Sequence, residues 1–237
     1  MSGYQFDWSL FSDRSYQDLI WSGLSITLKL SALALVFSFS LGLSIAVLRM
    51  SHNKMLRSLA MGYLEFIRNT PLLVQLFFWY FGSFKILPEA WSVWLNGTNQ
   101  FEFIAAAIAL TVYTSAFIAE DIRSGIMSIP KEQMEAGRSF GFSYLQTMRY
   151  IILPQAVRIT VPPLVNQFLN LTKNSSLAMT IGVAELTYQA RQIESRTLKS
   201  FEAFAIATLI YLIISLLITY AVDAYSRLTL RRSRGLV

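Results

Sequence analysis

The sequence predicts an all-α integral membrane protein of about five transmembrane helices, with its N-terminus outside and its C-terminus in the cytoplasm. Between the third and fourth helices it predicts a cytoplasmic coupling helix. Three observations support this. Of 237 residues, 54% are hydrophobic and only 14% charged, with a mean hydropathy of +0.46, whereas a soluble domain of this length must cover its surface with more charge. Uncharged runs approach the roughly 20 residues that a helix needs to cross a bilayer. They are Leu30–Leu48 (extended upstream by IWSGLSITLK), Ala203–Val222 and the slightly shorter Phe103–Ala119. Finally, the cations gather after the first and last of these runs.

The proposed spans are 20–48, 71–84 with an amphipathic lead-in, 103–123, 156–184 and 203–225. They form a single domain, with an outer segment 1–19, a loop at 130–154 and a basic tail 226–237. Arg49, Lys54 and Arg57 follow the first span, and Arg227, Arg231, Arg232 and Arg234 follow the last. Both groups are cytoplasmic if the N-terminus is outside, as the positive-inside rule requires. The loop 185–200, with Arg191, Arg196 and Lys199, runs against the rule, and Glu185 and Glu194 among them count little in it. The N-terminal segment carries Asp7, Asp13 and Asp18 against Arg14. That is the reverse of a signal peptide's basic start, so no cleavable signal is expected.

Two spans read as interrupted. In EFIRNTPLLVQLFFWYFG, Thr70 is a ready N-cap and Pro71 suits the first helical position, splitting an amphipathic piece (Leu56–Arg68) from a short apolar helix. In ITVPPLVNQFLNLTKNSSLAMTIGVAEL, Pro162 and Pro163 precede Lys173. Broken helices at membrane depth survive where protein or water satisfies the backbone, and in transporters they mark the substrate path. The plainer alternative is two prolines kinking a packed helix. Phe77-Phe78-Trp79-Tyr80, with Trp91 and Trp94, reads as an interfacial belt, and Asn96-Gly97 as a turn.

The polar stretch SIPKEQMEAGRSFGFSYLQTMRYIILP has its own order. Pro130 opens a helix whose first turns hold Glu132 and Glu135, where the dipole favours anions. Gly141 suits the left-handed residue that ends it. Ser143 and Gln146 form a capping box for a second short helix, which Pro154 ends or kinks. The result is a helix–turn–helix knob. Gly137 and Gly141 form a Gly-x-x-x-Gly pair, but the charges around them argue against a membrane dimer face.

Several chemistries are excluded. With no cysteine there is neither disulfide nor thiolate chemistry, and His52 is the one histidine, which cannot build a histidine metal site. No Gly-x4-Gly-Lys-[Ser/Thr] loop is present to cradle ATP, and no nucleophile–base constellation can be assembled. The net charge of +6 reflects cytoplasmic loops rather than nucleic-acid binding.

Glu135-Ala136-Gly137, then Gly141, then Ile151-x-Leu153-Pro154, resemble the EAA loop of ABC-importer permeases, E-A-A-x3-G-x9-I-x-L-P, with Gly137 in place of the second Ala. YLEFIRNTPLLVQLFFWYFG and LNLTKNSSLAMTIGVAEL resemble segments of polar amino-acid permeases, closest in look to those for glutamate and aspartate. The likeness covers nearly the whole chain. It implies that residues 131–153 carry the coupling helix that sits in a groove of a cytoplasmic ABC ATPase dimer. ATP and Mg would then be bound by that partner, and no cofactor or metal by this chain. It also implies a second permease subunit, identical or sister, a periplasmic or tethered binding protein, and residence in the bacterial inner membrane.

Lys173 is the candidate substrate contact, because a cation at membrane depth is costly and normally faces a cavity or partner. Asn166, Asn170 and Lys173 are spaced i, i+4, i+7 and share one helix face. Asn174, Ser175 and Ser176 follow, and Thr70 joins the path from the other interrupted span. By resemblance, permeases for cationic substrates often carry an acid where Asn174 stands, so Lys173 with Asn174 favours an anionic or neutral amino acid. Alternatively Lys173 snorkels, or pairs with Glu185 or Glu120. Lys29, the pair Glu65 and Arg68, and the group Glu120, Asp121 and Arg123 rank lower. A carrier of basic amino acids within the same class is one rival. An ATPase-independent transporter or channel is another, although no internal repeat supports it.

Overall fold

In a bilayer every backbone amide needs a partner within the chain, which helices supply. Among the described residues all regular structure is helical. The computed structural model describes residues 6–82, 97–98 and 100–234. Trp91, Trp94 and Asn96 lie outside them.

A short 3-10 turn, Trp8–Ser12, is capped by Asp7 and leads into α1 (Arg14–Arg49). Then come α2 (Lys54–Arg68) and α3 (Leu72–Phe77), which widens into a π turn at Phe78–Gly82. After them stands α4 (Phe101–Met127). The knob follows as α5 (Lys131–Ser139) and α6 (Tyr144–Thr147), with a π turn at Met148–Ile152. Beyond it α7 (Leu153–Asn174) passes into a 3-10 turn, Ser175–Ile181, before α8 (Leu186–Thr197) and α9 (Ser200–Arg234). Among the described residues, three segments are long and apolar enough to cross a membrane: α1, α4 and Ser200–Val222 of α9. The apolar stretch Leu72–Gly82 is shorter, and α7 is interspersed with Arg158, Asn166, Gln167, Asn170 and Lys173.

The chain forms two compact units, Ala32–Leu171 and the pair of segments Met1–Ser31 and Thr172–Val237. In the first, α2 buries Ala60, Leu64 and Ile67, one helical stripe, against Ala116, Ala119 and Ile122 of α4. Small residues allow such close approach where lipid offers no hydrophobic contrast. At Gly42 of α1 an added Cβ would lie 2.7 Å from Ile118 Cγ2. Tyr63 OH donates to the Val112 carbonyl at 2.9 Å and lies 2.8 Å from Ser115 Oγ, giving this α2–α4 contact a fixed register.

The breaks fall where tertiary contacts put them, not where proline alone suggested. Pro71, not Thr70, is the N-cap of α3 and has no side-chain cap bond. Thr70 Oγ1 donates back to the Phe66 carbonyl at 2.9 Å, closing α2, and accepts from Gln75 Nε2 at 2.7 Å. Pro162 and Pro163 sit inside an unbroken α7, and the change of helix type comes at Ser175. Pro154 does not end its helix either, because the chain enters α7 directly from the π turn at Met148–Ile152. A π turn is one of the few ways to accommodate a proline's missing N–H and its clash with the carbonyl four residues back.

In the second unit, Gly23 lets α1 approach α8. A Cβ there would lie 2.9 Å from Leu186 Cα, and the Leu186 N–H donates to Thr27 Oγ1 at 3.1 Å. Glu185 is fully buried and caps α8. It accepts from the N–H groups of Thr187 (3.0 Å) and Tyr188 (2.8 Å) and from Tyr211 OH (2.7 Å). Burial pushes its carboxyl above the usual range despite these donors. It lies between the proposed spans 156–184 and 203–225.

A raised folded-state value means that the folded chain holds this proton to a higher pH than the unfolded chain. Stability is therefore greatest below the ordinary glutamate range and falls as pH rises from about 4.3 towards the raised value. The melting temperature of the purified chain should decline over that window, with a flatter profile in Glu185→Gln. Equal slopes in the two proteins would show that Glu185 does not govern it.

Candidate functional site

The knob at residues 131–153 is built from local rules. Helix α5 closes on Gly141, whose φ of +87° lies in the left-handed region. The Gly141 N–H bonds the Arg138 carbonyl (3.0 Å) and the Phe142 N–H bonds the Gly137 carbonyl (3.2 Å). This pair of bonds is a Schellman closure, which ties the orphan carbonyls of the last turn. One residue later both arms of the capping box are formed. Ser143 Oγ accepts from the Gln146 N–H, and the Ser143 N–H donates to Gln146 Oε1 at 2.8 Å.

The two helices lock through Gly137. A Cβ there would fall 2.5 Å from Thr147 Cγ2 and 2.9 Å from Ile151 Cδ1, so even the alanine usual at this place in the EAA pattern would force these side chains to move. Ile152 is buried beside this contact. Glu135 and Ala136 are exposed on α5, and the Glu135 carboxylate has no hydrogen-bond or ion-pair partner among the described residues. Leu153 and Pro154 are exposed where the knob joins α7.

On both sides of Gly141 the knob presents apolar side chains outward. Phe140 is 84% and Leu145 76% exposed, with Phe142, Tyr144 and Tyr150 around them. Large apolar side chains left exposed together on a charged loop mark a contact surface. Sequence reasoning overlooked Phe140, Leu145 and Thr147. The first two were visible as large apolar residues flanking a glycine turn in a polar stretch. Thr147 meets Gly137 only after the turn has closed, so no local signal reports it.

Asn166, Asn170 and Lys173 all lie on α7 with exposed side chains. Lys173 makes neither a salt bridge nor a side-chain hydrogen bond among the described residues. Asn174 ends the helix half-buried. Ser175 is fully buried, its hydroxyl donating to the Thr172 carbonyl at 2.7 Å, and Ser176 donates to the Lys173 carbonyl at 2.7 Å. Thr70 is engaged with Phe66 and Gln75 as described above.

Lys29 is exposed on α1, whereas the charges at the end of α4 are partnered. Arg123 grips Glu120 with Nη2 at 2.5 Å and Nε at 3.1 Å from Oε1, and Gln167 Nε2 donates to Asp121 at 2.8 Å. The Arg68 guanidinium lies 5.7 Å from the Phe117 ring centre.

Known proteins share both pattern and fold. The chain is 48% identical over 197 residues to the probable glutamine ABC transporter permease protein GlnM of Bacillus subtilis (strain 168), covering 83% of this chain and 87% of that one. It is 34% identical over 221 residues to the glutamate/aspartate import permease protein GltJ of Escherichia coli (strain K12), covering 92% and 89%. A solved amino acid ABC transporter with histidines superposes with a TM-score of 0.83 at 38% identity, covering 94% of this chain and 99% of that one. Residues 20–231 match the family described as the binding-protein-dependent transport system inner membrane component. With the EAA spacing folded into a closed helical knob, the chain belongs to that family of transport permeases.

Proposed function

We propose that this chain is the permease subunit of an ATP-driven ABC importer that carries polar amino acids, glutamate and aspartate foremost, across the bacterial inner membrane. The knob is the observation that carries the reading. Its EAA residues form a rigid pair of helices that turns Phe140 and Leu145 outward, a shape suited to a groove on a cytoplasmic ATPase dimer. A binding protein delivers substrate to the outer face, and a second permease subunit, identical or sister, completes the path. ATP is hydrolysed on the partner chains, while this chain contributes contact and coupling. Glutamine and asparagine are the neighbouring substrates, in keeping with the relatives named for glutamine and for glutamate/aspartate.

Lys173, exposed and without an ion partner among the described residues, supports a substrate carboxylate as its counter-charge, and Asn174 leaves no fixed anion beside it to attract a cationic side chain. The test is uptake of labelled glutamate, aspartate, glutamine and arginine by cells expressing the complete system, with and without this chain. Loss of glutamate and aspartate uptake alone is the expected result. Loss of arginine uptake would keep the importer and overturn the charge argument, and unchanged uptake of all four would remove the amino-acid reading.

A further inference from the structure

Helix α2 carries two apolar stripes, and the fold uses one. Ala60, Leu64 and Ile67 are buried against α4. Met55, Leu59, Gly62 and Phe66, spaced i, i+4, i+7, i+11, form a second stripe that faces outward. Met55, Leu59 and Phe66 are 71%, 61% and 67% exposed. Gly62 makes a dent between Leu59 and Phe66, since a Cβ added there would meet nothing within 4 Å.

The stripe begins at a cationic turn. Arg49 ends α1, and His52, Lys54 and Arg57 follow within eight residues, with no acidic residue anywhere between Asp18 and Glu65. His52, Lys54 and Arg57 are exposed. Arg49 Nε is buried and has no hydrogen-bond acceptor among the described residues. Glu120, the carboxylate that the Arg49 charge reaches electrostatically, is already gripped by Arg123. A buried N–H without an acceptor is a cost that native structures avoid. The turn is therefore short of an anion.

We propose that this turn and the outer stripe of α2 hold an anionic phospholipid, with its phosphate among Arg49, Lys54 and Arg57 and an acyl chain along Met55, Leu59, Gly62 and Phe66. The two parts of the surface match the two parts of such a lipid: a compact anion, then a narrow apolar line with a dent and a flexible methionine. A second copy of this chain fits less well. A second copy would bring a second cationic turn to the same face, where Glu65 is the one acid on α2 to offset Lys54 and Arg57.

The chain has no cysteine, so a bimane label on Gly62→Cys reports this site alone in nanodiscs holding the full chain with partner subunits made free of cysteine. Phosphatidylglycerol with brominated acyl chains should quench the label more strongly than brominated phosphatidylcholine at equal mole fraction. That preference should fall about five-fold for each exposed cation removed, in Lys54→Gln and Arg57→Gln. The Lys54→Arg/Arg57→Lys pair should keep it, separating charge from misfolding. Equal quenching by the two lipids overturns the proposal. So does quenching by neither lipid together with disulfide cross-linking of two Gly62→Cys chains, which would give the face to a second copy.

Discussion

Gly141→Val should stop transport while ATP hydrolysis in the assembled complex continues. The residue sits at φ +87°, where any side chain costs about 1–2 kcal/mol and a β-branched one more. Nothing lies within 4 Å of an added Cβ, so the effect comes from the backbone and not from crowding. The Schellman bonds of Gly141 and Phe142 would open, and the angle between α5 and α6 would no longer be held. Phe140 and Leu145 would then leave the surface they form together. About 1.4 kcal/mol lost from coupling is a tenfold change, so uptake per ATP should fall at least about tenfold in proteoliposomes, with phosphate release retained. Glu135→Ala should act in the same direction. Gly137→Leu should instead lower stability by about 1–3 kcal/mol, the usual cost of overpacking, because Thr147 and Ile151 already fill that space. A wild-type ratio of uptake to ATP hydrolysis in both Gly141→Val and Glu135→Ala would remove the knob from the coupling mechanism.

Lys173→Ala should reduce glutamate uptake by about ten- to a hundredfold, the range expected for losing a hydrogen bond to a charged group of about 1.5–3 kcal/mol. Its ammonium is exposed and unpaired among the described residues, so truncation breaks no salt bridge there and folding should survive. Lys173→Arg should recover part of the activity, since the charge stays while the shape changes. Asn174→Asp should move preference from glutamate towards arginine by placing an anion beside the path. Labelled uptake with matched amounts of protein in the membrane reads both effects. Normal uptake in Lys173→Ala and in Asn174→Ala would end the substrate assignment.

What the sequence made legible was what short-range rules decide. The capping box at Ser143 and Gln146, the left-handed Gly141 and the spacing to Ile151 all formed as read, because each needs only a few neighbouring residues. The long apolar helices α1, α4 and α9 also followed from composition. Proline was misleading. Pro154, Pro162 and Pro163 all lie within helix, Pro154 directly after the π turn, an outcome that the local rule for proline does not foresee. Ser175 illustrates the same limit from the other side. Its place in a polar run suggested a lining residue, yet the shift to a 3-10 turn rotates it inward onto the Thr172 carbonyl. Glu185 read as a loop charge, and its burial against Tyr211 depends on a residue 26 positions away.

The passage from knob to helix has a mechanical meaning. From Tyr144 through the π turn to Leu171 the backbone is helical without interruption, a stiff strut about 40 Å long at 1.5 Å per residue. Such a strut passes a displacement along its length, with the π turn and Pro154, Pro162 and Pro163 as its softer points. If the knob couples as proposed, a tilt of Tyr144 and Leu145 at one end should carry Asn166 and Asn170 at the other with it. On the proposed function, the stroke at the knob and the movement of Asn166 and Asn170 would then be one event.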